Sequence, residues 1–313
     1  MGKVSKFVAK NTWLWPFAGC VLLCAAIAFI SGGFSSQTIF LNVTLASFSF
    51  LLGLCEMLII TSGDGAIDLC APYIVTLCAY ISANWLRGTK AIAGIFVIIG
   101  VCVLIGIVNG LINIYLKVHA MIGTLAVGYI LYSIILVYSK STNVKPSKVL
   151  MRFAQTNWGG FSLITLLCIV FLVLMAIVMY RSKFGKRLHA TGQGHHIAQL
   201  AGINVRKMLM LVFIFSALIA GVTGVLLGAY VNGSFQTLGD SYQMPAIAAA
   251  LVGGTLVSGG KSSVLGTFAG AVLLTLLSSM INIMGVSAGW QKLVEGIVII
   301  LILVAADNRT ERT

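Results

Sequence analysis

The sequence predicts an all-α bundle of helices that cross a lipid bilayer, and three observations predict it. Of 313 residues, 59% are hydrophobic and only 9% are charged, with a mean hydropathy of +1.05. Soluble domains carry about a quarter charged residues. Apolar runs recur along the chain at lengths near the roughly 20 residues that a helix needs to cross the hydrocarbon core. Glycine is abundant, at 34 residues, as expected where helices pack closely inside a membrane. The net charge of +13 does not point to nucleic acid, and no nucleic-acid partner is expected. The basic residues lie in the gaps between apolar runs, where they suit membrane topology and anionic lipid headgroups.

Ten spans are expected, near 13–31, 38–60, 66–86, 91–116, 121–138, 160–180, 207–231, 242–257, 262–284 and 289–306. The first follows Lys3, Lys6 and Lys10 and resembles a secretory signal, but it is long, lacks a clear cleavage pattern and is followed by many other runs. The second carries Glu56. The third is entered through "SGDGAIDLCAPY", where Gly63, Gly65 and Pro72 predict a broken helix with Asp64 and Asp68 four apart. An ionisable residue within the membrane is a functional-site hypothesis by default. The competing reading is helix capping at the water interface. It weighs at least equally for Asp64 and less for Asp68, which enters the apolar run.

On the fourth span, Asn109 and Asn113 sit one turn apart on one face. They suit a polar path, but the spacing favours an interhelical hydrogen bond, worth about 1 kcal/mol, over it. The loop 139–159, with Pro146, Trp158 and Gly159, reads as an outer cap or interfacial helix. In "FQTLGDSYQMPAIAAALVGGTLVSGGKSS" the eighth element stays polar through Gln243. Its apolar part, Met244 to Val257, reaches only about 21 Å at 1.5 Å per residue. That predicts a broken or re-entrant element lining a cavity, against an ordinary tilted span.

Orientation follows from charge. With the N-terminus inside, thirteen Lys and Arg fall in inner segments and seven in outer ones. The positive-inside bias places both termini in the cytoplasm.

No catalytic constellation is present, neither GxSxG nor HExxH, and no catalytic residue, metal or cofactor is expected. "GTLVSGGKS" has Thr255 where a phosphate loop needs its first glycine. The seven Cys lie in or beside apolar runs with no CxxC pair, and the four His show no ligand spacing. Gly106/Gly110, Gly224/Gly228 and Gly266/Gly270 have the GxxxG spacing, a weak signal among so many glycines.

The most polar segment of its length, "GKRLHATGQGHHIAQLAGINVRK" (Gly185 to Lys207), joins spans six and seven on the inner side. Gly192 and Gly194 are expected to loosen the chain. His195 to Ala201 can form one or two helical turns stopped by Gly202. Ile197, Leu200 and Ala201 then share one face, which either meets a partner or lies on the bilayer.

Five segments resemble the permease subunits of ATP-binding-cassette importers for monosaccharides, the ribose/galactose/xylose/autoinducer-2 group. They are "GAIDL" (65–69), "NGLI" (109–112), "IGTLAV" (122–127), "GKRLHATGQGHHIAQLAGINV" (185–205) and "AIAAALVGGTLVSGGKSSVLGTFAGAVLL" (246–274). The resemblance implies a single permease domain over 1–313 with a cytoplasmic coupling loop at 181–207. It implies alternating access driven by a separate cytoplasmic ATPase, a second permease copy or homologous permease, an extracytoplasmic solute-binding protein, and a place among the lipids of the bacterial plasma membrane. The coupling residues would be His195, His196, Ile197, Leu200, Ala201 and Gly202. The translocation path would include Asp68, Asn109, Asn113 and Gln243. Two departures stand out: the family usually continues "IDL" with Ser-Val-Gly, where this chain has Cys70, Ala71 and Pro72, and it usually has Asn and acidic residues at Gly194, His195 and His196. Alternatives are a related permease for nucleosides or branched-chain amino acids, or an ion-coupled secondary carrier, which would favour paired broken helices and a carboxylate relay.

Overall fold

The computed structural model describes residues 14–300, apart from 31–32, 34–35, 143–144, 288, 291, 295 and 298–299. In chain order the elements are α1 (Leu14–Ile30), α2 (Ser36–Thr61), α3 (Ala71–Trp85), a 3-10 turn (Gly88–Lys90), α4 (Ala91–Tyr115), α5 (Ala120–Ser139), α6 (Lys148–Gln155), strands β1 (Asn157–Trp158) and β2 (Phe161–Ser162), α7 (Leu163–Arg181), α8 (Lys183–Gln193), α9 (His195–Leu200), α10 (Val205–Tyr230), α11 (Asp240–Val252) and α12 (Val264–Ile283). The polytopic helical bundle is as expected.

Six of these are long and apolar enough to cross a membrane: α2, α4 with its preceding turn, α5, α7, α10 and α12. Three of the ten expected spans are shorter, with 17, 15 and 13 residues in α1, α3 and α11. At 1.5 Å per residue α11 reaches about 20 Å, too little to cross alone. The tenth expected span, 289–306, lies only partly within the described residues, and both termini lie outside them.

The core is built around α2. Every residue from Ala46 to Thr61 is buried, as expected for a helix apolar on all sides. Around it pack α7, α10, α11 and α12, while α3 lies against α10, α4 and α5. The outer helices α4, α5 and α7 expose Phe96, Ile130 and Val170, side chains that suit lipid. On the flank, α1 packs on α12 with its own small cluster of Cys20, Ile27 and Leu276.

All three GxxxG pairs seat a neighbouring helix. A Cβ on Gly106 would fall 2.7 Å from the Ile214 Cα of α10, and Gly110 faces Met210 of the same helix. Gly224 and Gly228 bring α10 onto Val75 and Ala79 of α3, and Gly266 and Gly270 bring α12 onto Gly253 and Ala249 at the end of α11. Small residues permit this approach, and dispersion then holds the helices.

The expected break falls at 62–70. Gly63, Asp64 and Gly65 take φ of 101°, 56° and 62°, a left-handed run that no α-helix can contain. Glycine adopts it freely and Asp tolerates it. Pro72 then enters α3 in its first turn, where its missing N–H costs nothing.

Segments expected on the inner side gather at one end of the bundle: residues 62–67, 117–119, α8, α9 and 253–263. His119 Nε2 lies 3.1 Å from the Asp64 carbonyl oxygen, and Gly260 N donates to Thr61 O at 3.0 Å. The opposite end joins the expected outer segments. Gln155 Nε2 donates to Asn232 Oδ1 at 2.9 Å, Gln236 to Ser139 Oγ at 3.2 Å, and Arg87 to the Lys145 carbonyl. The expected cap there is α6 followed by a hairpin, which turns on Gly159 and Gly160 at φ 60° and 90°. Phe161 stacks edge-on against Phe40 at 4.6 Å.

Candidate functional site

Three turns from distant parts of the chain meet at the inner end. A Cβ on Gly192, near the end of α8, would sit 1.9 Å from Thr61 O and 2.4 Å from Gly260 N. One on Gly259 would sit 2.4 Å from the Cα of Gly63. Backbone therefore touches backbone, with no side chain between. The segment before the junction differs from expectation. Residues 183–193 form a helix, with Ser182 Oγ capping it by accepting from Gly185 N at 3.2 Å. Of the two glycines expected to loosen the chain, Gly194 does separate this helix from α9, but Gly192 lies within the helix and lets it pack against Thr61, as Gly185 lets it pack against Met179.

Histidines tie the junction together. His195 Nε2 donates to the Ser62 carbonyl at 2.9 Å, and its Nδ1 lies 3.1 Å from an Asp64 carboxylate oxygen. His189 Nδ1 lies 3.2 Å from Gly260 O, and burial lowers its pKa from the ordinary 6.5.

Beyond the junction, α9 stands proud of the bundle. Ala198 is its buried anchor, packed with Val205, Leu209, Ile114 and Ile203. Gly202, at φ 78°, ends the turn as the sequence suggests. Ile197 and Leu200 are 70% and 77% exposed, and His196, Ala201 and Gly202 are exposed beside them. Of the six expected coupling residues, His195 alone turns inward.

A second constellation lies deeper in the bundle. Glu56 and Asp68 are both buried, and Glu56 Oε2 accepts from Asp68 N at 3.1 Å. Asp68 Oδ1 accepts from Cys70 N at 2.9 Å, and Oδ2 from Ser216 Oγ at 3.3 Å. Asp68 thus supports the entry to α3 while facing the core. Asn109 reaches the Cys70 thiol, and its buried Oδ1 accepts no hydrogen bond. Among the described residues no Lys, Arg or His forms an ion pair with either carboxylate.

The four expected path residues divide. Asp68 and Asn109 both belong to this cluster. Asn113 instead donates to the Val118 carbonyl at 3.2 Å, closing the end of α4. Gln243 is half-buried on α11, and no hydrogen bond among the described residues joins it to the other three. Sequence reasoning did not pair Glu56 with Asp68; its signal was a lone carboxylate in an otherwise apolar run. Ser216, on α10, carried no signal at all.

The five segments that carried the resemblance meet one another at these two constellations. Leu69 N of the first donates to Thr124 Oγ1 of the third at 3.0 Å, the second supplies Asn109, and the last two meet at Gly192 and Gly260.

Comparison with known proteins takes in most of the chain. A family model described as a branched-chain amino acid transport system / permease component matches residues 38–303. A galactose/methyl galactoside import permease protein of Haemophilus influenzae is 31% identical over 272 residues, covering 80% of this chain and 80% of its own length. A ribose import permease protein of Escherichia coli is 27% identical over 316 residues, covering 96% of each chain. One from Bacillus subtilis is 26% identical, covering 95% of this chain and 92% of its own. No solved structure matches.

Proposed function

Since the chain belongs to the branched-chain amino acid transport system / permease component family, we propose that it is the membrane-spanning permease subunit of an ATP-binding-cassette importer for a sugar or sugar-like solute. The sugar reading is supported by relatives that carry galactose and ribose import in their names. A multi-pass place in the bacterial plasma membrane follows from the same relatives and from the six apolar helices.

In this reading the chain carries out no covalent chemistry. A separate cytoplasmic ATPase hydrolyses ATP, two permease copies or homologues form the pathway, and an extracytoplasmic protein delivers solute. The observation that carries the reading is α9, with its exposed Ile197 and Leu200 fixed by Ala198 above a junction of bare backbone. Movement of the ATPase pushes α9. The push passes through Gly192 to Thr61 at the end of α2, and through Gly260 to the turn below α11. Both helices line the core, and Asp68, with Glu56, Ser216 and Asn109, sits where their motion opens or closes a polar route.

The test is association. Ile197→Asp or Leu200→Asp buries an unpaired charge against the ATPase, a change that costs several kcal/mol. Membrane insertion should stay normal while ATPase co-purification or solute-stimulated hydrolysis is lost. Cys at 197 or 200 should crosslink to the ATPase, and Cys at 145 should not. Labelling of 197 and 200 only by lipid-phase reagents would end the coupling role.

A further inference from the structure

The end of the bundle opposite α9 carries more positive charge than topology alone selects for. Arg87, Lys90, Lys140, Lys145, Lys148 and Arg152 lie there, and Asp240 is the carboxylate at that end among the described residues. None of these cations forms an ion pair among the described residues. Positive charge is normally depleted on the outer side, so the excess calls for a reason.

Two of the cations are organised. Lys148 and Arg152 are four apart on α6 and so share one face. With Met151, Gln155, Thr156 and Asn232 they line an open cleft of about 480 Å³. Its far wall is the end of α10, where Asn232 takes φ 56° and accepts from Gln155 Nε2. The helix is fixed over the bundle: Ser147 Oγ caps it, Ala154 is buried, and it packs on α7 and α10. Exposed Val149 and Trp158, at 78% and 75%, stand nearby in sequence. Arg and Trp are among the residue types that carry most binding energy at protein interfaces.

Resting on the importer reading, which makes this the outer end, we propose that the cleft between α6 and the end of α10 receives a carboxylate side chain from an acidic docking face of the solute-binding protein. A guanidinium and an ammonium one turn apart, with amide groups opposite, suit a carboxylate. The cleft sits over the bundle, against α10, where a docked protein reaches it. Since α10 starts three residues after Gly202, one continuous helix links the docking cleft to the coupling helix.

The test uses the whole transporter, permease with its ATPase, in nanodiscs, with purified solute-loaded binding protein. The readout is the binding-protein concentration that half-maximally stimulates ATP hydrolysis. Lys148→Glu with Arg152→Glu should raise it by at least about tenfold at low salt, in neutral and anionic lipid alike. High salt should shrink the difference. Co-purification of the ATPase reports that the variant is folded. A carboxylate-to-lysine change on the binding protein's docking face should restore stimulation of Arg152→Glu. An unchanged half-maximal concentration overturns the cleft's role and leaves the importer reading standing. A shift seen only in phosphatidylglycerol discs overturns it in favour of a lipid contact. A wild-type complex whose hydrolysis ignores the binding protein overturns the importer reading, and the cleft's role with it.

Discussion

His195 and Asp64 meet across the inner junction, with Nδ1 3.1 Å from the carboxylate oxygen, while the other ring nitrogen holds the Ser62 carbonyl at 2.9 Å. Asp64 is largely exposed, so the ion-pair component is worth little. The bond to Ser62 does more, because it fixes the left-handed run 63–65 to the start of α9. His195→Ala should therefore lower solute-stimulated hydrolysis several-fold while the ATPase still binds. His196→Ala, at an exposed position, should act like wild type. Equal activity of the two variants, measured in the reconstituted complex, would remove the tether.

Glycine 192 and glycine 194 make a sharper comparison. An alanine Cβ at 192 would sit 1.9 Å from Thr61 O, and backbone there has nowhere to go. At 194 the backbone is extended, with φ 165°, and the nearest atom is 3.4 Å away. Gly192→Ala should abolish uptake and lower the melting temperature in detergent. Gly194→Ala should change neither by much. Transport assays and thermal melts on both variants decide it.

Asp68→Asn retains an acceptor for Cys70 N and an amide for Ser216, so insertion and expression should be near normal. Asp68→Ala strips both partners and should cost about 1–3 kcal/mol of stability, the usual consequence of an orphaned buried group. If the cluster lines the route, Asp68→Asn and Asn109→Ala should reduce uptake more than expression. Normal uptake by both would reduce these residues to capping and packing groups.

His189 supplies a pH dependence. Burial lowers its pKa from 6.5. The unfolded chain then takes up a proton near 6.5, and the folded chain only at lower pH. Folding is favoured above that value and weakens as pH falls through the folded-state pKa. His189→Gln keeps a donor for Gly260 O without titrating. Melts between pH 7.5 and 5 should show a shallower loss for this variant than for wild type; parallel curves would contradict it.

Much of the bundle is legible in the sequence because lipid imposes a simple length rule. The second apolar run, 38–60, matches α2 at Ser36–Thr61 within two residues. The break at 62–70 is legible too, from Gly63, Gly65 and Pro72. α8 is not. Gly192 reads as a loosening residue, since nothing local shows that Thr61 lies against it. The inward turn of His195 is hidden for the same reason: its partner lies 133 residues away. Glu56 and Asp68 are each visible as costly residues, but their meeting depends on how the chain refolds through the break.

The flanking helix α1 bears on the order in which the molecule is assembled. It leaves the ribosome early, yet its contacts are with α12: Cys20 Sγ reaches Ala269 O across 249 residues, and Gly19 lies against Leu273. Such contacts cannot form before α12 itself exists. The family match starts at residue 38, after α1. Within this chain α1 is made well before α12, so the pairing of the two waits until residues 264–283 have been synthesised. Ribosome-stalled chains ending before α12 should leave α1 undocked and accessible along its whole surface, so that docking of α1 reports the arrival of α12.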